Sequence, residues 1–166
     1  MAIYLKYGSL KGSANTKGFE GWIDVDSFSW GVQRHMASAH RGGANREAGE
    51  VAIQDITLSK RMDVSSNPLL GEAWGGKLNT KVTIKFTTNT AKGVGDFLIY
   101  ELENTGISHY GISAHGQGGG SGGDLMPTET LTLNFAKISV TYKNVDPGIS
   151  MSPSTVGYDL TKMVAS

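Results

Sequence analysis

The feature that most restricts the fold of this chain is a two-residue alternation of apolar and polar side chains. It returns along most of the sequence, and the alternating segments are 2–8, 21–34, 50–62, 80–88, 95–104, 106–116 and 128–144. Successive side chains of a β-strand point to opposite faces, so this period is typical of half-buried strands. The chain contains 23 glycines, and their clusters fall between these segments, where turns are expected.

Two of the alternating segments carry further information. In 21–34, Trp22, Phe28 and Trp30 share one face of the predicted strand, and we expect Phe28 and Trp30 to pack inside the domain. In 50–62, the apolar residues change faces near Asp55. This change predicts a β-bulge or a two-sided environment at that point.

One short helix is predicted at about 67–76. Asn67 can cap its first turn, and the pair Gly75-Gly76 can end it. The helix is expected to lie against the sheet, or over an open barrel end, through an apolar stripe. The stripe consists of Leu69, Leu70, Ala73 and Trp74.

Seven or more strands, glycine-rich turns and one helix predict an all-β protein, either a barrel or a sandwich. No repeat, linker or change of composition divides the sequence, so we expect residues 1–166 to form a single domain. The chain has no cysteine, which excludes disulfides and thiolate metal sites.

The charge balance narrows the possible partners. Fifteen acidic and fifteen basic side chains give a formal net charge of zero, which favours neither nucleic acid nor an anionic membrane as a partner. Neutral copies can also pack side by side without accumulating repulsion. No segment approaches the ~18 apolar residues of a membrane span, and the first residues lack the apolar core of a secretory signal. We therefore expect a cytoplasmic protein that, if exported, leaves the cell without a cleaved signal peptide.

The stretch SAHRGGANREAGE, residues 38–50, interrupts the strands with a long polar loop. His40, Arg41 and Arg46 could bind an anion, but a strand resumes at Glu50 where a phosphate-binding loop would lead into a helix. Long loops in compact domains are usually functional or disordered. Arg41, Arg46 and Glu47 suit charge pairing across a protein contact, and a mobile solvated loop is the alternative.

The glycine run 116–124 matches two catalytic patterns. Gly118, Gly120 and Gly123 fit G-x-G-x-x-G, and Ser121 sits in a G-x-S-x-G sequence. Both motifs function at a strand-to-helix turn, whereas here another strand follows. A flexible hairpin loop is the favoured interpretation.

The four histidines do not form a metal-binding pattern. They are His35, His40, His109 and His115. No carboxylate recurs near them at ligand spacing, so neither a metal nor any other cofactor is predicted. No catalytic residues are assigned, and the protein is not expected to be an enzyme.

Several stretches, taken in order, resemble the Hcp family, the haemolysin-coregulated proteins of the bacterial type VI secretion system. They are IDVDSFSWGVQR, GEVAIQDITLSKRMDVSSNPLL after the small-residue loop, GGSGGD before TETLTLNFAKISVTY, and GYDL near the end. Together they cover most of the chain.

The resemblance implies a compact β-barrel of two sheets with one flanking helix, here 67–76. It further implies a homo-oligomer, a hexameric ring that stacks head-to-tail into a tube. A contractile sheath and baseplate would drive the tube out of the cell beneath a spike protein, with small effector proteins as cargo in the lumen. Residues 35–49 occupy the place of the family's contact arm, which makes His40, Arg41, Arg46 and Glu47 candidates for subunit contact or ring stacking.

The resemblance also places Ser29 at the small polar position that faces the lumen. Ser29 is either a cargo-contact residue or merely a small residue on a hydrated wall. Some relatives carry a toxin domain after the barrel, and none is expected here. Two alternative functions remain: the tube subunit of a contractile phage tail, and a small hydrolase that uses Ser121 with one of the histidines.

Overall fold

Strands account for most of the residues that the structure describes. The structure is a computed structural model, and it describes residues 1–36, 48–90, 93–114, 126–144 and 152–165. Within these ranges the strands are β1 Ala2–Tyr7, β2 Ile23–Val25, β3 Ser27–Ser29, β4 Val32–Met36, β5 Ala48–Ile53, β6 Ile56–Arg61, β7 Thr80–Thr90, β8 Gly93–Ser113, β9 Thr128–Asn134, β10 Lys137–Tyr142, β11 Ser154–Asp159 and β12 Val164–Ala165, and the helix is α1 Ser66–Gly75. In this part of the chain, no helix combines the length and the apolar character needed to cross a membrane.

Two antiparallel sheets share the long strand β8. The first has the order β12-β11-β10-β8-β7-β1-β2, and the second runs β3-β6-β9-β8. The hairpin β4–β5 forms a separate ladder. The prediction of an all-β fold with two sheets and one helix is therefore confirmed.

The barrel is not closed by strand pairing all the way round. Among the described residues no ladder joins β2 to β6, and the chain itself crosses between the sheets at Asp26. The Asp26 N–H donates a hydrogen bond of 2.8 Å to the Ser59 carbonyl at this crossing. This bond ties the free edge of the first sheet to the second.

The buried face of the chain changes where it passes from one ladder to another. Ile23 and Val25 are buried in β2, whereas after Asp26 the residues that pack into the core are Phe28 and Trp30. The predicted packing of Phe28 and Trp30 is thus confirmed. The Phe28 ring lies 5.0 Å from Phe86 and 4.9 Å from Tyr100, measured between ring centroids.

Three predicted strands proved to be more than one strand: 21–34 contains β2, β3 and the start of β4, and two other segments each contain a pair. The change of faces near Asp55 marks the end of β5 and the start of β6, which belong to different ladders. The segment 128–144 likewise contains β9 in the second sheet and β10 in the first. In both places the apolar residues change parity because the chain leaves one sheet for another.

The opposite correction applies to the predicted strands 95–104 and 106–116, since the single strand β8, Gly93–Ser113, contains the first and most of the second. Asn104 adopts a left-handed conformation with φ of 52°, and the next two residues, Thr105 and Gly106, are buried. A Cβ added to Gly106 would lie 2.2 Å from Leu78 Cδ2. Gly106 therefore gives Leu78 room to cross the strand at this bend.

The helix begins at Ser66 and ends at Gly75, close to the predicted limits. The expected cap at Asn67 is wrong, since Ser65 occupies the N-cap position and its own N–H donates to Asp63 at 2.9 Å. The predicted end is correct, because Gly76 has an extended conformation and its N–H donates a hydrogen bond to the Glu72 carbonyl.

The predicted packing stripe of the helix is only partly correct. Leu69 is fully buried and Leu70 is half-buried, but Trp74 is 81 % exposed. Trp74 follows Leu69 by five positions in the α-helix, which places the two side chains about 140° apart around the axis. Because Leu69 occupies the centre of the buried side, Trp74 faces away from the barrel.

Candidate functional site

The outer surface of the second sheet is a patch of short hydroxyl side chains, which we call the hydroxyl face. It consists of Ser27, Ser29, Thr57, Ser59, Thr130 and Thr132. The two serines of β3 are exposed and the other four residues are half-buried. The patch arises because the alternating residues of the same three strands, including Leu58 and Leu131, point into the core.

Strand register aligns these hydroxyls in two rows. Ser27 lies opposite Ser59, which lies opposite Thr130, and Ser29, Thr57 and Thr132 form the second row. The Oγ atoms of Ser27 and Ser59 are 2.5 Å apart, so one donates a hydrogen bond to the other. The face is therefore polar and uncharged.

Polar groups with fixed partners border the hydroxyl face. Asp55 accepts hydrogen bonds from Ser108 at 2.8 Å and from Asn134 at 2.9 Å. His109 is exposed beside Thr132, and its Nε2 would lie 3.2 Å from a Cβ added to Gly111. The small residue at 111 thus leaves space for the imidazole ring.

This arrangement can exchange hydrogen bonds with water or with a protein surface. Within the described ranges, no serine hydroxyl is hydrogen-bonded to a histidine ring, the contact that would activate it as a nucleophile. The same ranges contain no group of three His, Asp or Glu side chains placed to hold a metal. The hydroxyl face offers hydrogen-bond donors and acceptors without a formal charge.

Several residues singled out in the sequence lie outside the described residues. They are His40, Arg41, Arg46 and Glu47 of the proposed contact loop, and Ser121 and His115 of the proposed hydrolase. Their assigned roles remain predictions. Ser29 is described, and its exposed position on β3 is the one that a surface-contact role requires.

A buried cluster of charged side chains lies on the core side of the second sheet, opposite the hydroxyl face. The sequence analysis did not predict it. Lys60 is 1 % exposed and Glu129 is fully buried, and the Lys60 Nζ lies 2.6 Å from Glu129 Oε2. Asp63 lies 2.9 Å from the same ammonium group. The Tyr110 hydroxyl donates to Glu129 Oε1 at 2.6 Å. The sequence did contain a signal for this cluster, because Lys60 and Glu129 have the same strand parity as the core residues Leu58 and Leu131.

The cluster anchors the start of the helix to the barrel. Lys60 donates to the Ser66 hydroxyl at 3.3 Å, and the Asp63 N–H donates to the same oxygen at 2.9 Å. Burial alone would raise the pKa of the Asp63 carboxyl, but hydrogen bonds from Ser65 and Lys60 and the charge of Lys60 lower it overall. Burial and the adjacent Glu129 carboxylate raise the pKa of Tyr110, which keeps its hydroxyl a donor.

The family described as type VI secretion system effector, Hcp, matches residues 4–142. The chain belongs to the Hcp family. The match includes β1 from Tyr4 onward, β2 to β10, the helix and the whole hydroxyl face, so the surface described above belongs to the part of the chain that the family shares.

Individual Hcp proteins agree with this assignment. Protein hcp1 of Pseudomonas aeruginosa is 29 % identical over 164 residues, which is 98 % of this chain and 96 % of the relative. A solved type six secretion system protein superposes with a TM-score of 0.85 at 22 % identity and covers 99 % of both chains. Hcp1 from Salmonella typhimurium gives 0.70 at 18 % identity and covers 97 % of this chain and 95 % of its own. These structures have the same fold.

Proposed function

We propose that this Hcp protein is the structural subunit of a type VI secretion inner tube. In this proposal six copies close into a ring, rings stack head-to-tail, and the 1–166 chain acts as one domain. The observation that carries the proposal is the hydroxyl face, a partly exposed and uncharged patch within a chain of the Hcp family. The sheath and baseplate would then export the tube behind its spike protein, without a cleaved signal peptide.

The hydroxyl face is proposed to line the lumen and to contact effector cargo. Short hydroxyl side chains have little rotamer entropy to lose, and they form hydrogen bonds without selecting for one charge. Such a wall can hold different small proteins weakly and release them. Ser29, exposed at the edge of the patch, is the position where a longer side chain would obstruct cargo most directly.

Assembly is tested by negative-stain electron microscopy of the purified protein. Six-fold rings with a central hole are expected at moderate salt and micromolar concentration. A field of monomers under these conditions would contradict the proposed assembly.

Cargo contact is tested by replacing Ser29 with glutamine. The longer amide side chain is expected to reduce the amount of effector protein that co-purifies with the rings, while the rings stay intact in the microscope. Ser9→Gln makes the same chemical change at an exposed turn residue outside the sheets, and it should leave cargo unchanged. If Ser29→Gln leaves the amount of co-purified effector protein unchanged, Ser29 does not contact cargo in the lumen.

Export distinguishes the type VI tube from a phage tail tube. The protein should appear in the medium of intact growing cells and should disappear from it when the sheath gene is deleted. Release only when cells lyse would favour the phage alternative.

A further inference from the structure

An apolar slot separates the β4–β5 hairpin from the edge strands of the first sheet. It has a volume of about 230 Å³. Its walls come from five strands and include Val32, Val51, Ile53, Val140, Val156 and Tyr158. Val32 and Val156 are 50 % and 64 % exposed, so part of this apolar surface faces solvent in the single chain.

An apolar projection lies elsewhere on the molecule, at the end of α1. It consists of Trp74 in the last helical turn and Leu78 in the segment that follows, and we call it the Trp74 knob. The exposed fractions of the two side chains are 81 % and 73 %. Leu78 crosses β8 at Gly106, and β8 contributes nothing to the slot. The slot and the knob share no residue, so one molecule can use both at once.

We propose that the apolar slot of each copy receives the Trp74 knob of the next copy. The proposal rests on the proposed ring and identifies its subunit contact. A ring of identical chains closes through heterologous contacts, in which two different patches of each subunit meet. An apolar recess and an apolar projection on the same chain form such a pair, and the zero net charge of the chain does not oppose their approach.

The chemistry of the two surfaces also favours this pairing. Trp30 forms part of the slot wall, and its indole N–H already donates to the Gln54 carbonyl at 3.0 Å. The wall therefore offers apolar surface with this polar group satisfied. Tryptophan is enriched among the residues that dominate interface energies, particularly where it enters a pocket shielded from water.

Two single variants test the pairing, one on each surface. Trp74→Asp removes the knob and Val156→Asp places a charge in the slot. Both side chains are mostly exposed, so each variant should fold, as circular dichroism and thermal melting would show. Size-exclusion chromatography with light scattering should find wild-type rings and two monomeric variants, with association weakened roughly 30-fold or more.

Mixing the two variants gives the decisive result. Trp74→Asp keeps an intact slot and Val156→Asp keeps an intact knob, so an equimolar mixture retains one working pair and should form dimers but no rings. Trp74→Phe should preserve rings because it keeps an aromatic side chain. Val64→Asp, at a residue 68 % exposed before the helix, is the matched control and should also preserve rings.

The opposite results would overturn the pairing. One such result is that Trp74→Asp or Val156→Asp still forms rings, and another is that the mixture stays monomeric. Either would show that the slot accepts something other than the knob, such as a different protein or a small apolar ligand. If wild-type rings persist in that experiment, the proposed function stands and only the pairing fails. A monomeric wild type would overturn both.

Discussion

At the scale of single residues, the Lys60–Glu129 pair is the most demanding interaction in the fold. Both groups are buried, and their contact of 2.6 Å lies between β6 and β9. Taking two charges out of water costs several kcal/mol each. The pair is tolerated because Tyr110, Asp63 and Ser66 occupy most of the remaining donor and acceptor positions.

We expect Glu129→Gln to lower the free energy of unfolding by about 2 kcal/mol, because it removes the fully buried one of the two carboxylates that pair with the Lys60 ammonium group and leaves Asp63 as the other. The double variant Lys60→Met, Glu129→Leu should cost less than that, because it removes both charges together. Urea denaturation of both proteins measures the difference. A double variant less stable than Glu129→Gln would mean that the pair contributes more than its desolvation costs.

Asp63 should make the protein sensitive to acid. Its pKa is lower in the folded protein than in the unfolded chain, so its contribution is complete above the unfolded value of about 4 and is lost as the pH falls through the folded value. Asp63→Asn should therefore destabilise the protein by about 1 kcal/mol at neutral pH, and this loss should shrink as the pH falls below about 4. A loss that does not change with pH, measured by denaturant unfolding, would assign Asp63 a purely steric role.

At the scale of elements, the fold depends on the places where the chain changes sheets. Three short links each separate two strands of different ladders, and they are Asp26, Gln54–Asp55 and Phe135–Ala136. The long strand β8 achieves the same change without a break, through the bend at Asn104. Each crossing turns a different face of the chain toward the common core.

Asn104 is the position where this bend can be tested. A residue with a Cβ is strained at φ of 52°, although asparagine tolerates it better than most. Asn104→Ala should destabilise the protein by about 1 kcal/mol, and Asn104→Gly should be neutral or slightly stabilising. Asn89→Ala makes the same chemical change at an exposed residue of β7 without positive φ, and thermal melts should show a smaller loss. Equal losses at the two sites would show that the bend is not strained.

The alternating pattern predicted the strands well because burial on one face requires it, and β1 and β7 were found almost as expected. It did not show where strands change partners, because pairing over long sequence distances is not encoded in local periodicity. Residues 128–144 illustrate this, since Leu133 and Ile138 both point to the core but from different sheets. Ser29 was found through the resemblance to the Hcp family, and it lies on the strand face opposite Phe28 and Trp30. Trp74 was misplaced because an apolar stripe does not reveal which of its edges is buried.

At the scale of the whole molecule, assembly can depend on two different kinds of surface. One is apolar, the proposed pair of slot and Trp74 knob, and the other is the contact loop predicted from the sequence, with Arg41, Arg46 and Glu47. The two kinds respond oppositely to salt. Contacts between exposed charges weaken as ions screen them, whereas apolar contacts keep their strength and tighten in sulfate.

We expect ring formation to be nearly insensitive to sodium chloride. Because the chain carries no net charge and the proposed subunit contact is apolar, the midpoint concentration for ring assembly should change less than about threefold between roughly 0.05 and 0.5 M salt. Sodium sulfate should lower that midpoint. Light scattering across a dilution series measures both effects, and Arg41→Ala with Arg46→Ala provides the comparison. The contrary result has two parts: sodium chloride dissociates the wild-type rings, and the Arg41→Ala, Arg46→Ala variant forms no rings even at low salt. That result would show that the charged loop holds the ring together. Rings that persist while stacks of rings separate would instead assign the loop to stacking and leave the apolar contact within each ring.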